Sequence, residues 1–319
     1  MSRSRSLPSA ALILTLLLTL LLTLLLTLVA CGGGEPRVDP ILPRPSVRPQ
    51  SSATPTPTPR RGGTVSIGIV GDLRQLNPAF GGATLQSAIF RPVVEGLFDF
   101  DEQGQPRPLL AESVPTRGRG VSDNGTTIII RLRQGAAWED GKPFTADDVV
   151  FTLAASKNPN NPFADEIAAA YRTIRSADAL DPYTVRLTLT APGDAYLRAF
   201  APVFPAHLFN GVTDLVNQPY ARAPFGTGPF RVADLVPGTL LTLTRSDSYR
   251  LPDRPYLDRI TYRAYPDAAA ADAALREGRV DILLSADGQR LTLPQNTALR
   301  GLVPVSNAPP TWNAADWWR

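Results

Sequence analysis

Residues 122–153, SDNGTTIIIRLRQGAAWEDGKPFTADDVVFTL, decide how this chain folds. They open with Ser122-Asp123-Asn124-Gly125, residue types that favour a tight turn with a positive φ at its end. A β-branched run over 126–130 continues through Arg131-Leu132-Arg133, where apolar and charged residues alternate, and this pattern predicts a half-buried strand. A second turn follows at Asp140-Gly141. Thr145-Ala146-Asp147-Asp148 then predicts a helix start, because threonine caps the first turn and early carboxylates favour the amino end of a helix.

The composition is that of a globular protein without an unusual charge. The chain has 319 residues, of which 43% are hydrophobic and 19% charged, enough for one or two domains with a real core. Its formal net charge is +3 and falls to +1 without residues 1–30, which hold Arg3 and Arg5 and no acidic residue. Such a surface gives no electrostatic reason to expect nucleic-acid binding. One cysteine and one histidine exclude an internal disulfide and a zinc cage built from these residue types.

The amino-terminal residues are typical of a bacterial lipoprotein export signal. Arg3 and Arg5 precede an almost continuous apolar run over 12–29, and Leu28-Val29-Ala30-Cys31 matches a lipobox. We therefore expect residues 1–30 to be removed as a signal peptide and the Cys31 thiol to carry diacylglycerol. The alternative is an uncleaved membrane anchor, because the apolar run is long enough to span a bilayer.

A low-complexity segment separates this signal from the folded part. Residues 31–61 are rich in proline, threonine, serine and arginine and end in three Thr-Pro repeats, Thr54 to Pro59. Little apolar surface is available to bury there, so we expect a disordered tether with polyproline II character.

The central stretch resembles the signature of the family 5 extracellular solute-binding proteins, the oligopeptide, dipeptide and nickel receptors of ABC importers. The matching residues there are Arg131-Leu132-Arg133, Gly135, Asp140-Gly141 and the segment 143–149. Further segments match along the chain: Gly62-Gly63-Thr64, Leu76-Asn77-Pro78, Glu95-Gly96-Leu97, Pro108 to Ser113, Pro205-Ala206-His207, Gly226-Thr227-Gly228-Pro229-Phe230 and Glu277 to Ile282. The chain departs from the pattern at Val94, where the family usually has tyrosine.

The resemblance implies an α/β fold. We expect a periplasmic-binding-protein-like first lobe, type II and cluster C, with a mixed sheet over residues 62–284, including an inserted subdomain. Residues 285–319 would be the start of the second lobe, which we expect to be largely missing. A first lobe alone would fold poorly, because it exposes unpaired sheet edges and apolar surface.

The resemblance also implies a function without catalysis. It predicts a receptor that captures peptides or a similar small solute and delivers them to permease and ATPase subunits. The lipid anchor would hold it on the outer face of the cytoplasmic membrane, and no cofactor or metal is expected. The residues that the resemblance places near the ligand cleft are Asn77, Pro78, Glu95, Gly226, Thr227 and Gly228. The two glycines equally suit a purely structural turn.

Other functions remain open from the residues themselves. One is a one-lobe surface lipoprotein, or a gene remnant, without transport activity. Another is a hydrolase that uses Asp140, Asp147 or Asp148, although these carboxylates also suit a turn and a helix cap. The sequence has no nucleophile elbow, no His-Glu-x-x-His and no phosphate-binding loop, which argues against an enzyme. His207 is a candidate metal ligand without an obvious second ligand nearby.

The lipobox generates the first test. We expect Cys31→Ser to leave the precursor unprocessed and the protein off the membrane fraction, because the thiol is the acceptor of the lipid. Metabolic labelling with a fatty acid and fractionation of the expressing cells measure both effects. Normal processing and membrane association of the variant would contradict the assignment.

Overall fold

The computed structural model describes residues 61–74, 85–101, 103–221, 224–284 and 291–292. The predicted signal peptide, Cys31 and almost all of the predicted tether lie outside the described residues, and so do Asn77 and Pro78. Within the described ranges, strands and helices together build a mixed α/β structure, as the sequence predicted.

The first layer of the described chain is a six-stranded sheet with the order β13-β12-β1-β11-β10-β9. Its alternating β-branched residues and leucines explain why these segments pair. The strands are β1 (Thr64–Val70), β9 (Phe230–Val236), β10 (Leu240–Arg245), β11 (Arg259–Tyr265), β12 (Ile282–Leu284) and β13 (Leu291–Thr292).

The register fixes which strand ends share an edge. Strand β1 runs parallel to β11 and to β12, whereas β10 is antiparallel to both β9 and β11. The amino ends of β1, β9 and β11 therefore lie along one edge of the sheet. The carboxyl ends of the parallel strands β1, β11 and β12 lie along the opposite edge.

Helices cover both faces of this sheet. Helix α1 (Leu85–Phe90) contributes Ile89 and Phe90 to a buried cluster with Ile67 and Ile69 of β1. On the other face, an alanine-rich helix packs a separate small cluster against Val70. That helix spans Ala268–Arg276 and begins with Asp267, whose side chain accepts a hydrogen bond from the Ala270 amide at 2.8 Å. The aspartate satisfies one of the amides that a helix start leaves unpaired.

A second layer is inserted between α1 and β9. Its five-stranded sheet has the order β4-β5-β6-β8-β7, and a short hairpin, β2-β3, precedes it. The strands are β2 (Phe98–Phe100), β3 (Pro106–Pro108), β4 (Thr116–Arg117), β5 (Gly120–Val121), β6 (Thr127–Arg131), β7 (Ile174–Asp181) and β8 (Thr184–Leu189). The helices are α2 (Ala146–Ser156), α3 (Asp165–Arg172), α4 (Ala206–Phe209) and, after the insertion, α5 (Ala268–Arg276).

The stretch that decides the fold forms β6, a turn and α2. Asp148 is 3% exposed and joins three parts of this layer. Its carboxylate accepts hydrogen bonds from the Thr145 amide at 2.9 Å, the Trp138 indole at 3.1 Å and the Ala206 amide at 2.8 Å. Burial raises the pKa of Asp148, and these hydrogen bonds oppose that shift.

Three helical segments are shorter than their sequence patterns indicate. The helical pattern of residues 85–94 continues only to Phe90, because the residue before Pro92 is driven out of the helical region. The helical pattern of residues 166–174 ends at Arg172, because Ile174 pairs with Leu189 as the first residue of β7. The segment that ends near residue 197 forms only a single 3-10 turn, Ala195–Arg198.

Candidate functional site

The chain passes between its two layers at a pair of adjacent segments. It leaves the six-stranded sheet through residues 92–97 and returns through residues 224–230. The returning Gly228 amide donates to the Val93 carbonyl at 2.9 Å, and the Phe230 amide donates to the Pro92 carbonyl at 3.0 Å. These bonds hold the outgoing and returning segments side by side.

Glycine permits this close approach. A Cβ at Gly226 would lie 1.8 Å from the Val93 carbonyl oxygen, and one at Gly228 would lie 2.4 Å from the Pro92 carbonyl oxygen. Both distances are far shorter than a carbon and an oxygen tolerate without moving backbone. Gly226 and Gly228 therefore have a structural role at this junction, because they let the outgoing and returning segments lie this close together.

Between these glycines, Thr227 faces a buried carboxylate. The Thr227 hydroxyl donates to Glu95 Oε2 at 3.1 Å, and the Tyr249 hydroxyl lies 3.5 Å from Glu95 Oε1. The Arg250 guanidinium contacts both oxygens of Glu95, through Nη1 to Oε2 and through Nη2 to Oε1 at 3.0 Å. The side chains of Glu95 and Arg250 are only 2% and 11% exposed.

Glu95 and Arg250 form a buried, bidentate ion pair. Burial lowers the pKa of Arg250, but the charge and hydrogen bonds of Glu95 outweigh that effect and raise it overall. The guanidinium therefore stays charged across the physiological pH range. A buried pair of this kind resists separation, because removing one partner leaves the other charged and poorly solvated.

The single histidine belongs to the inserted layer. His207 Nε2 lies 2.9 Å from Asp140 Oδ2, and its ring packs edge-on against Trp138 and Phe225. Asp140 also accepts the Lys142 amide at 3.0 Å, as expected of an aspartate in a turn. Within the described residues no group of three or more His, Cys, Asp and Glu side chains is arranged to hold a metal ion.

The predicted site residues do not form one cluster in the described structure. Glu95, Gly226, Thr227 and Gly228 come together beside the amino end of β9. In open parallel sheets, ligands bind outside the carboxyl ends of the strands. In this sheet those ends are Val70, Tyr265 and Leu284. Asn77 and Pro78 follow β1 in sequence, outside the described residues, and ligand contact stays a prediction for all six residues.

Sequence reasoning missed the partner of Glu95. Arg250 is 155 positions away along the chain and belongs to no segment with a recognisable motif. Only the tertiary fold brings it to the junction, so no local signal identifies it.

In the described part of the chain, no helix is both long and apolar enough to cross a membrane.

Comparison with known proteins gives consistent matches. The family model of the bacterial extracellular solute-binding proteins, family 5 Middle, matches residues 105–312. The oligopeptide-binding protein AppA of Bacillus subtilis is 29% identical over 229 residues, covering 70% of this chain and 41% of that protein. The glutathione-binding protein GsiB of Escherichia coli K12 is 27% identical over 229 residues, covering 72% of this chain and 43% of GsiB.

Solved structures agree with the sequence matches. AppA from Bacillus subtilis, in complex with a nonapeptide, has a TM-score of 0.64 at 27% identity and covers 72% of this chain and 45% of its own. NikZ from Campylobacter jejuni, in complex with Ni(L-His), has a TM-score of 0.61 at 29% identity and covers 70% of this chain and 43% of its own. The chain thus spans about two fifths of the length of the curated relatives it matches, 41% and 43%.

The close approach at the junction generates a test. We expect Gly226→Ala to lower the free energy of unfolding by about 3 kcal/mol, because the new methyl group forces the two backbone segments apart. Gly193→Ala is the matched control, since nothing lies within 4 Å of a Cβ there and its φ is not positive. Urea denaturation measures both, and equal small effects would contradict the packing described.

The buried ion pair generates a second test. Glu95→Gln and Arg250→Met should each cost about 3 kcal/mol, and the double variant should cost less than their sum by about 1–3 kcal/mol. The exposed pair Asp178 and Arg186 is the control, where Asp178→Asn should cost less than about 1 kcal/mol. Strict additivity of the Glu95 and Arg250 variants would show that the pair does not act as a unit.

Proposed function

Because the chain belongs to the bacterial extracellular solute-binding proteins of family 5, we propose that it is the substrate-binding component of an ABC importer. In this role it captures a peptide or a similar small solute outside the cell and delivers it to a membrane permease driven by ATPase subunits. The observation that carries the proposal is the family match over residues 105–312, which includes the stretch that decides the fold.

The sheet edge at the carboxyl ends of the parallel strands supports a solute-binding function. Three parallel strands, β1, β11 and β12, end side by side, and such an edge is where open α/β sheets hold ligands. We propose that the segment following β1, with Asn77 and Pro78, contributes to the ligand cleft. Solute-binding proteins with hinged lobes close around ligands placed in this way.

The substrate class is proposed from the relatives. AppA is named for oligopeptides and GsiB for glutathione, and NikZ was solved with a nickel and histidine complex. Two of these three ligands are peptides, so peptides are the first class to test.

Export and anchoring complete the proposed role. The signal over residues 1–30 would direct the protein across the cytoplasmic membrane, and lipid on Cys31 would hold it beside the permease. The 31–61 tether would let the folded part reach solute away from the membrane surface.

The proposed role involves no catalysis. Asp148 receives three hydrogen bonds within the inserted layer, and Asp140 is engaged by His207 and by its own turn. A general acid or base needs access to substrate, whereas Asp148 is almost fully buried. Two of the three aspartates of the hydrolase alternative, Asp140 and Asp148, are thus engaged in contacts within the inserted layer.

Isothermal titration of the full chain tests the proposal. The probes are a nonapeptide mixture, glutathione and nickel with L-histidine, each titrated at equal concentration. We expect saturable binding of at least one probe with one site per chain, in the micromolar range of about −8 kcal/mol. No saturable heat with any probe would contradict the proposed function.

A pair of asparagine variants tests whether Asn77 contacts the ligand. Asn77→Ala should weaken the binding of the best probe about fivefold, because a hydrogen bond to ligand contributes about 1 kcal/mol. Asn217→Ala is the control, since this asparagine is exposed in the inserted layer. Equal affinities of both variants would remove Asn77 from the ligand contacts and leave the importer role to the titration of the unmodified chain.

A further inference from the structure

A cleft of about 290 Å³ opens at the amino-end edge of the six-stranded sheet. It lies between the β3 end of the inserted hairpin and the loop that joins β10 to β11. Three prolines, Leu109 and Leu251 form its apolar wall, and Arg133, Arg250 and Arg254 also line it. The cleft therefore combines an apolar wall with three guanidinium groups.

The three arginines differ in how their charges are balanced. Arg250 is neutralised by Glu95, as described above. Arg133 uses Nε to donate to the Leu109 carbonyl at 2.7 Å, and its terminal nitrogens have no hydrogen-bond or ionic partner among the described residues. Arg254 lies over the Tyr256 ring, 4.3 Å from its centroid, and likewise has no anionic partner among the described residues.

These contacts orient the two uncompensated arginines. The Leu109 carbonyl contacts the guanidinium group of Arg133, and the Tyr256 ring contacts that of Arg254. Guanidinium groups restrained in this way lose less conformational freedom when they bind an anion than unrestrained ones do. Among the described residues, no carboxylate lines the cleft to oppose the approach of an anion.

We propose that this cleft binds a small organic carboxylate with an apolar body. The carboxylate would receive charge-assisted hydrogen bonds from Arg133 and Arg254, whose planar forks match its two oxygens. The apolar body would lie against the prolines and leucines of the wall. A volume of about 290 Å³ suits a molecule of roughly ten to fifteen non-hydrogen atoms or fewer.

The apolar wall favours an organic acid over inorganic phosphate. Proline and leucine side chains offer no hydrogen bonds to the remaining oxygens of a phosphate ion, whose desolvation would then go uncompensated. A monocarboxylate has only two charged oxygens, and the rest of its surface can be buried against the carbon atoms of the proline and leucine side chains. The edge that holds this cleft is the amino-end edge of the sheet, opposite to the carboxyl ends of β1, β11 and β12.

Titration of the full chain with benzoate and with benzamide tests the proposal, with inorganic phosphate as a third probe. The first two molecules have the same shape and differ in charge. Heteronuclear NMR spectra report both affinity and location through the shifts of the Leu251 and Arg254 amides. We expect benzoate to bind at least tenfold more tightly than benzamide or phosphate and to shift these amides.

Charge-removing variants separate the cleft from the general surface. Arg254→Gln and Arg133→Gln should each weaken benzoate binding about tenfold, whereas Arg254→Lys, which keeps the charge, should recover part of the affinity. Arg117→Gln is the control, because Arg117 is exposed on β4 in the other sheet. Thermal unfolding of each variant checks that the fold is kept.

Three results would overturn the proposal. One is equal binding of benzoate and benzamide, which would mean that the arginines do not recognise the charge. A second is an equal loss in Arg117→Gln and Arg254→Gln, which would mean that benzoate binds to the surface as a whole. The third is tighter binding of phosphate than of benzoate, which would contradict the assigned ligand class. These outcomes concern benzoate, benzamide and phosphate, whereas the importer role is tested separately by the peptide titration and the Asn77 variant.

Discussion

The described structure depends on the close backbone contact between Gly226-Thr227-Gly228 and Pro92-Val93. A layer of more than a hundred residues is inserted between α1 and β9, so the chain has to leave the six-stranded sheet and return to it at one place. The hydrogen bonds from Gly228 and Phe230 join the outgoing and returning segments. Any side chain at position 226 would displace the Val93 carbonyl. The contact thus makes the inserted layer compatible with an unbroken sheet.

The buried pair of Glu95 and Arg250 adds side-chain contacts to this junction. Glu95 belongs to the outgoing segment, Thr227 to the returning one, and Arg250 to the loop between β10 and β11. Their contacts therefore tie the outgoing segment of the inserted layer to the segment before β9 and to the loop between β10 and β11. The carboxyl ends of the parallel strands β1, β11 and β12 lie at the opposite edge of the sheet, away from these contacts.

The sequence predicted the parts whose causes are local. The turn at Asp140-Gly141, the strand before it and the helix after Thr145 follow from turn chemistry, period-two alternation and capping, which act over a few residues. The end of α1 is also a local effect, because Pro92 keeps the residue before it out of the helical region. Arg250 was out of reach, because its role depends on meeting a glutamate 155 positions away. The arginines of the amino-end cleft were hidden for the same reason, since separate segments supply them.

Native-state hydrogen exchange tests most directly whether the junction holds the layers together. The amides of Gly228 and Phe230 donate to carbonyls of the outgoing segment, so they should exchange only through global unfolding. Their protection should equal that of Ile67 and Tyr262 in the centre of the six-stranded sheet. Exchange of Gly228 and Phe230 as fast as that of Gly104, in an exposed turn, while the sheet stays protected, would contradict the account.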